Sequence, residues 1–169
     1  MDCCECDCSE EKKEEICCPE INPKKWDKKA FVWKNKTFIK GDVLQIMHIP
    51  LNFGQVITSL VSKAEKAKAL PKGEYAISLS RERSPWKSEL YLATTKKVSD
   101  AKNAVISGKF LSRAFDGPYN SIPAFMKEME NYLKEKGKSA ETLYFYYAYC
   151  PKCSKKYSHN YIIIIAKVG

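Results

Sequence analysis

Apolar and polar residues follow two different periods along this chain. In two segments, apolar residues return every three or four positions, which is the spacing of one helix face. Other segments are short, rich in Val, Ile and Tyr, and either alternate with polar residues or run apolar, as strands do. The pattern predicts one helix from Asn52 or Gly54 to about Ala69 and a second from Asn120 or Ser121 to Gly137. It predicts strands at 42–49, 75–80, 89–95, 104–115, 142–149 and 161–168. Loops are predicted at 81–84 and 150–159.

The second helix is the most sharply delimited of these elements. Asn120 or Ser121 can cap it, because a short polar side chain accepts a hydrogen bond from a backbone N–H of the first turn. Gly137 ends it, since glycine reaches the left-handed conformation at low cost. Its predicted inward stripe consists of Ile122, Phe125, Met126, Met129, Tyr132 and Leu133.

Two parts of the chain align on each other, which indicates an internal duplication. Pro50-Leu51-Asn52 matches Pro118-Tyr119-Asn120 at an offset of 68 residues, and residues 88–91 match 158–161 at an offset of 70. Each copy consists of strand, helix, strand and strand. We therefore predict an α+β fold: a duplicated module forming an antiparallel sheet, with two helices on one face and a ligand groove between the repeats. Repeat one spans about 40–98 and repeat two about 104–168.

Residues 1–20 differ from the rest in composition. They hold eight acidic and two basic residues, a charge of −6 in a chain of net charge +9, so residues 21–169 carry +15. With little to bury, residues 1–20 are predicted to form an acidic, cysteine-rich, flexible tail, and residues 21–169 a single domain. Aromatic residues at positions 26, 31, 33 and 38 stand among lysines and predict an N-terminal arm that packs on this domain.

Composition also bears on the cellular location of the protein and on its partners. No run of 18 apolar residues occurs, so we predict no membrane helix and no membrane partner. The first residues lack the apolar core of a secretory signal, and we expect a cytoplasmic protein. Because the cytoplasm is reducing, the eight cysteines are expected to be thiols or metal ligands rather than disulfides. The excess of lysine fits a solvated surface, with contact to nucleic acid as the alternative.

The segment 142–149 is the most aromatic part of the chain. Because side chains alternate along a strand, Tyr144 and Tyr146 share one side. Tyrosines suit a groove that stacks flat ligands and offers them hydroxyl groups. We interpret both residues as ligand-binding candidates, and ordinary strand packing is the alternative.

The corresponding strand of the first repeat contributes Trp86, Glu89 and Tyr91 as ligand-binding candidates. Alternation places Glu89 and Tyr91 on one face. A carboxylate among aromatic rings can bind a cationic ligand, and desolvation would raise its pKa and prepare it for general acid–base catalysis. Glu89 is therefore also the candidate catalytic residue. An exposed strand glutamate paired with a lysine is the alternative.

The stretch Phe115-Asp-Gly-Pro-Tyr-Asn-Ser-Ile, with the helix after it and the strand at 143–149, resembles the second half of GyrI-like small-molecule-binding domains. The resemblance covers roughly residues 40–168, and because no helix-turn-helix segment is present the chain resembles a stand-alone member. It implies the same duplicated fold, with a ligand in the groove between the repeats. Tyr119, in the Gly-Pro-Tyr turn that carries the resemblance, is a further ligand-binding candidate.

Members of this family differ in activity. Some hydrolyse the strained cyclopropane of DNA-alkylating natural products, some only bind ligands, and one branch inhibits DNA gyrase. The regulator branch uses a buried acidic residue among aromatics, which has no definite counterpart here. We expect binding of planar hydrophobic molecules of drug or toxin type. Hydrolysis of electrophilic, cyclopropane-bearing genotoxins for detoxification is the further hypothesis, and contact with nucleic acid or gyrase is a less favoured alternative.

In the hydrolysis hypothesis, the electrophile stacks between Trp86 and the tyrosines. A tyrosine hydroxyl hydrogen-bonds the carbonyl oxygen that gains charge as the ring opens. Glu89 orients or deprotonates the attacking water.

Cys150-Pro-Lys-Cys153 has the spacing of a zinc knuckle, in which two thiolates supply half of a tetrahedral site. No cofactor is required for ligand binding, but Zn²⁺ at this loop is a candidate, and a metal-binding structural protein is the second alternative function. A metal-free thiol loop and redox chemistry stay open, although the motif lies between two strands rather than at the strand-to-helix turn of redox motifs. Further ligands could come from His159, Cys17, Cys18 and the cysteines at positions 3–8.

Overall fold

The computed structural model describes residues 18–47, 49–72 and 76–169. Tyr75, the cysteines at positions 3–8 and Cys17, which enter the sequence predictions, lie outside these residues. The strands are β1 (Lys29–Ile46), β2 (Ile49–Pro50), β3 (Ser78–Ser84), β4 (Lys87–Ala93), β5 (Lys102–Asp116), β6 (Ala140–Tyr147) and β7 (Tyr161–Val168), and the helices are α1 (Phe53–Lys66), α2 (Ile122–Glu135) and α3 (Pro151–Tyr157).

The two predicted modules are present, as β1–α1–β3–β4 and β5–α2–β6–β7. The strands follow the order β2-β1-β4-β3-β6-β7-β5, and β5 also pairs with β1, so six strands close into an antiparallel barrel. The modules meet at two places. One is the long β1–β5 ladder, and the other is the short contact where Ser80 of β3 pairs with Phe145 of β6. The α+β fold with a duplicated module is therefore confirmed.

Both helices pack on the outside of the barrel. Helix α1 buries Ile57, Leu60 and Ala64 against β1 and β4. Gly41 allows the close approach of α1, since a Cβ at that position would lie 2.7 Å from Val56 Cγ1. Helix α2 buries Met129, Tyr132 and Leu133 against β5, β6 and β7. The opposite face of the sheet becomes the barrel interior, where the inward side chains form a third core cluster.

A β-bulge divides β1 between Trp33 and Lys36. Asn35 takes a left-handed φ of 50° there, and its backbone N–H donates to Ser107 Oγ at 2.8 Å. A bulge adds one residue to one strand, so it changes which positions face inward. Trp33 before the bulge and Phe38 after it consequently share the barrel interior, with ring centroids 6.0 Å apart.

Two predicted loops are wrong. Residues 81–84 belong to β3, because Arg81 pairs with Glu89 and Glu82 with Ser88 in the β3–β4 ladder. Residues 150–159 contain α3, a short helix that the sequence pattern was too brief to indicate. Gly137 does have the expected left-handed φ, at 66°. Among the described residues, no helix combines the length and apolar character needed to cross a membrane.

The end of the predicted tail is part of the folded domain. Cys18 is buried, and its backbone carbonyl accepts a hydrogen bond from the Tyr157 hydroxyl at 2.8 Å. The Ile21 N–H donates to the Tyr149 hydroxyl at 2.9 Å. Residues 18–28, which we call the N-terminal segment, are thus held against the barrel before β1 begins.

Asp27 holds the other end of this segment. Its Oδ1 accepts hydrogen bonds from Arg113 Nε at 2.8 Å and from the Ala114 N–H at 3.2 Å. Burial by itself would raise the pKa of Asp27, but the hydrogen bonds and the charges of Arg113 and Lys28 outweigh it and lower the pKa below its usual 3.8. The segment is therefore fixed to β5 by an ionised carboxylate at neutral pH.

We expect Asp27→Ala to lower the free energy of unfolding by about 1–2 kcal/mol at pH 7, a value reduced by the partial exposure of the carboxylate. Because the folded state lowers the pKa, this stabilisation is complete above the usual value and declines as the pH falls below it. Urea unfolding at pH 7 and pH 3 should show the difference shrinking at pH 3. Glu130→Ala, which breaks an exposed ion pair with Lys134, is the control and should cost less than about 0.5 kcal/mol.

Candidate functional site

A cavity of ≈ 420 Å³ lies between the N-terminal segment and the inner face of β1. This volume is within the range of small-molecule sites, about 300–1,000 Å³. The N-terminal segment supplies part of the wall, β1 supplies the opposite part, and Ile77 lies before β3. The lining residues are Ile21, Asn22, Lys25, Trp26, Phe31, Trp33, Lys36 and Ile77.

Three aromatic rings form the apolar wall of this cavity. Trp33 lies 5.1 Å from Phe31, measured between ring centroids, and 4.7 Å from the buried ring of Phe110. Trp26 meets Phe31 edge-on at 5.9 Å and Tyr146 at 5.8 Å. Packing on both sides restricts the rings, so they present a flat apolar surface that is largely formed before any ligand arrives.

Lys36 brings a positive charge to the same wall. Its Nζ lies 5.6 Å from the Trp33 ring centroid and 6.0 Å from that of Phe38. Burial lowers the pKa of Lys36. Together with Lys25, it gives the cavity basic rather than acidic polar groups.

Glu89 lies on β4 and is only 8% exposed. Its Oε1 is 3.2 Å from Arg83 Nε, and its Oε2 is 3.7 Å from Lys40 Nζ. The Tyr91 hydroxyl donates a hydrogen bond to the same carboxylate. Glu89 is thus a buried anion with a hydroxyl and two cations around it, and it is not among the residues that line the cavity.

The direction of the Glu89 pKa contradicts the sequence prediction. Burial by itself would raise the pKa, but the hydrogen bond from Tyr91 and the charges of Lys40, Arg83 and Arg81 reverse the shift and lower it. Burial and the neighbouring carboxylate raise the pKa of Tyr91 to about 12. At neutral pH, Glu89 is therefore ionised and can accept a proton, whereas Tyr91 keeps its own.

The predicted tyrosines of β6 do lie in the barrel interior. Tyr144 is buried, with its ring 6.0 Å from that of Tyr91. Tyr146 is buried next to Trp26. Glu89, Tyr91, Tyr144 and Tyr146 therefore share the interior, as alternation along β4 and β6 predicts.

Two predicted residues lie elsewhere. Trp86 is in the turn between β3 and β4 and is 56% exposed, so it does not converge with Glu89 and the tyrosines. Tyr119 is 43% exposed and packs edge-on against Tyr147 beside α2. It lines a second cavity, of ≈ 540 Å³, along with the rest of the Gly-Pro-Tyr turn and His159. Strand alternation could not predict where these two side chains lie, because the direction of a turn residue depends on tertiary packing. Ligand binding by either residue stays a prediction.

Sequence reasoning predicted an aromatic arm but missed its part in the cavity. The inward positions of Phe31, Trp33 and Lys36 could have been found only by knowing that β1 pairs with β5 and contains a bulge. That of Trp26 depends on the packing of the N-terminal segment beside them. The mixture of aromatic residues and lysines was the available signal. It indicates packing and ligand contact equally well.

The two candidate metal ligands are joined by a third cysteine. Cys18, Cys150 and Cys153 are all buried, no disulfide joins them, and their Sγ atoms lie within 4.8 Å of one another. His159 does not belong to this group, since its Nδ1 is 2.7 Å from Asp116 Oδ2. Burial raises the pKa of Cys150 to about 11, which argues against a reactive thiolate at that position.

Comparison with solved structures shows the same fold in several proteins. An uncharacterised conserved protein from Listeria innocua matches with a TM-score of 0.66 and 12% identity, over 85% of this chain and 93% of that chain. A hydrolase from Listeria innocua matches with a TM-score of 0.62 and 11% identity, over 85% and 92%. SAV2435 bound to tetraphenylphosphonium matches with a TM-score of 0.50 and 12% identity, over 85% and 94%. These neighbours fit the GyrI-like fold.

No curated protein matches the chain in sequence. A family model described as bacterial hydrolase, in contrast, matches residues 8–168. Because this match extends over nearly the whole chain, the protein belongs to the bacterial hydrolase family.

Proposed function

We propose that this protein binds planar aromatic small molecules in the cavity between the N-terminal segment and β1. The observation that carries the proposal is the wall formed by Trp26, Phe31 and Trp33 around ≈ 420 Å³ of space. A flat ring gains both apolar burial and offset or edge-to-face contacts with such a wall. The centre of the barrel is filled by side chains such as Phe38, Phe110 and Ile163, which supports binding in the cavity beside the N-terminal segment instead.

The charges of the site favour a neutral or anionic guest. Lys25 and Lys36 line the cavity, and Glu89, the acidic group expected to attract cations, is already paired with Arg83 and Lys40. SAV2435, in contrast, binds tetraphenylphosphonium, which is a lipophilic cation. If this chain follows its own charges instead, its preference among flat ligands should differ from that of SAV2435.

We further propose that an electrophile with a strained ring is hydrolysed, as a detoxification reaction, where it meets Glu89, which lies outside the lining of the aromatic cavity. Membership of the bacterial hydrolase family and the ionised, buried Glu89 support this. In the proposed step, the water oxygen bonds to a ring carbon while the carbon–carbon bond breaks, and its electron pair moves onto the conjugated carbonyl oxygen. Glu89 takes the proton from water and then returns it to the enolate, so the sum of the step is addition of water. Tyr144, beside Tyr91, is the candidate donor to the carbonyl oxygen.

Ligand binding can be tested by tryptophan fluorescence with three probes: a neutral planar tricycle, its carboxylated analogue and tetraphenylphosphonium. We expect the carboxylated probe to bind best. Trp33→Leu should raise its Kd about tenfold, because it removes one face of the stacking wall.

Trp86→Leu is the matched control, since it makes the same substitution at the exposed turn, and it should change Kd less than about twofold. A Kd that rises equally in both variants, or only in Trp86→Leu, would place the ligand outside the cavity. If tetraphenylphosphonium binds more tightly than the other two probes, the charge argument is wrong. The aromatic wall is then tested by Trp33→Leu alone.

A further inference from the structure

We infer that Cys18, Cys150 and Cys153 supply three ligands of a structural zinc site. The three residues come from two distant parts of the chain, the N-terminal segment and the connection between β6 and β7. Their Sγ atoms lie within 4.8 Å of one another. In a tetrahedral thiolate site with Zn–S bonds of about 2.3 Å, neighbouring sulfur atoms are about 3.8 Å apart. Side-chain movements of about 1 Å therefore suffice to enclose the ion.

Two backbone N–H groups donate to sulfur atoms of this cluster. The Cys153 N–H donates to Cys150 Sγ at 3.4 Å, across the two-residue spacer of the Cys-x-x-Cys motif. The Cys150 N–H donates to Cys18 Sγ at 3.5 Å. Amide donors directed at sulfur stabilise the negative charge of a thiolate, which is the form that binds metal.

Burial and local charge suit a structural role. Each of the three cysteines is at most 3% exposed. Three thiolates and one Zn²⁺ leave one negative charge, and α3, which begins next to Cys150, brings Lys152, Lys155 and Lys156. Buried sites with mostly cysteine ligands are typical of structural zinc, whereas catalytic zinc keeps an open, wet position.

The fourth position needs one more donor. The chain contains five other cysteines, at positions 3, 4, 6, 8 and 17, all outside the described residues. Cys18, Cys150 and Cys153 are the three assigned ligands, and the identity of the fourth is an outcome of the experiment.

A metal at this site would hold the N-terminal segment to the barrel. Cys18 lies three residues before Ile21, which lines the aromatic cavity, and Tyr149 and Tyr157 already hydrogen-bond the backbone of this region. Zinc would thus connect the first residue of the segment to the loop before β7. The zinc site does not depend on the proposed ligand, since it rests on the cysteines alone.

The test uses the full-length protein, purified under reducing conditions without chelator, and measures zinc by mass spectrometry. We expect about one Zn²⁺ per chain, and a loss of at least fivefold in Cys150→Ser and in Cys153→Ser. The matched control replaces the cysteines at positions 3, 4, 6 and 8 by serine together and should keep at least half of the zinc. Zinc that depends on those four residues and not on Cys150 would overturn the assignment.

Replacement of zinc by Co²⁺ in the wild-type protein keeps the test valid where a variant fails to fold. We expect the visible bands of tetrahedral Co²⁺ with thiolate-to-metal charge transfer, and X-ray absorption should count three or four sulfur ligands at about 2.3 Å from zinc. Adding a strong chelator should lower the melting temperature of the wild type and not that of Cys153→Ser. A metal-free protein with reduced thiols, or one with a Cys150–Cys153 disulfide, would refute the inference.

Discussion

Glu89→Gln is expected to lower the turnover of a strained-ring electrophile by about 10²-fold or more, which is the usual contribution of a positioned general base. The amide keeps the shape of the side chain and can still accept the Tyr91 hydrogen bond, but it cannot take a proton from water. The Kd of the electrophile, measured by fluorescence, should change less than about threefold, because the amide keeps the size of the carboxylate and removes only the proton transfer of the chemical step. The rate would be measured by stopping the reaction at set times and quantifying the ring-opened product.

The pH profile distinguishes a general base from a merely structural residue. Because the folded protein lowers the pKa of Glu89, the wild-type rate should stay constant down to the usual value of 4.5 and decline only below it. Glu128→Gln, on the exposed surface of α2, is the control and should leave rate and profile unchanged. An unaltered rate in Glu89→Gln would remove this residue from the mechanism, and a rate that falls already near pH 6 would assign the base to another group.

Phe110→Ala should be the most destabilising of the variants considered, with a loss of about 3–5 kcal/mol in the free energy of unfolding. Phe110 is 1% exposed, stacks on Phe31 at 5.5 Å and contacts Trp33 at 4.7 Å. Its removal leaves a hole behind two of the three rings that line the cavity. The same variant should therefore weaken the binding of planar ligands, even at temperatures where it is fully folded.

Urea unfolding of the wild type and Phe110→Ala would give the loss directly. Val32→Ala is the control, because Val32 lies on the same sheet, in the neighbouring strand β1, but is 57% exposed, and it should cost less than about 0.5 kcal/mol. A loss below about 1 kcal/mol for Phe110→Ala would mean that the interior relaxes around the gap. Normal ligand affinity in the folded variant would mean that Phe31 and Trp33 do not need this support.

Local patterns were sufficient for the elements that bury one regular face. Helix α1 begins after Asn52, α2 runs from Ile122 towards Gly137, and β7 has the predicted bounds. In each, the apolar period and the end signals agree, so neighbouring residues alone specify the element. Alternation placed Tyr144 and Tyr146 correctly for the same reason.

Prediction failed where a side chain's partner is distant in sequence. The charged residues of β3 suggested a loop because local composition cannot show that Arg83 meets Glu89 across the β3–β4 hairpin. The same partners reversed the expected pKa shift of Glu89. Trp86, an aromatic candidate only three residues from Glu89 in sequence, proved to be at the exposed tip of that hairpin.

The sequence by itself determined the duplicated α+β module, both long helices, the inward tyrosines of β6 and the Cys-x-x-Cys pair, since each depends on spacing within a few residues. Only the tertiary structure decided that β1 and β5 join to complete a barrel, that a bulge at Asn35 turns both Trp33 and Phe38 inward, and that Cys18 meets Cys150. These features arise from contacts between segments far apart in the chain, and their free energy depends on the packing of the whole barrel rather than on any local preference.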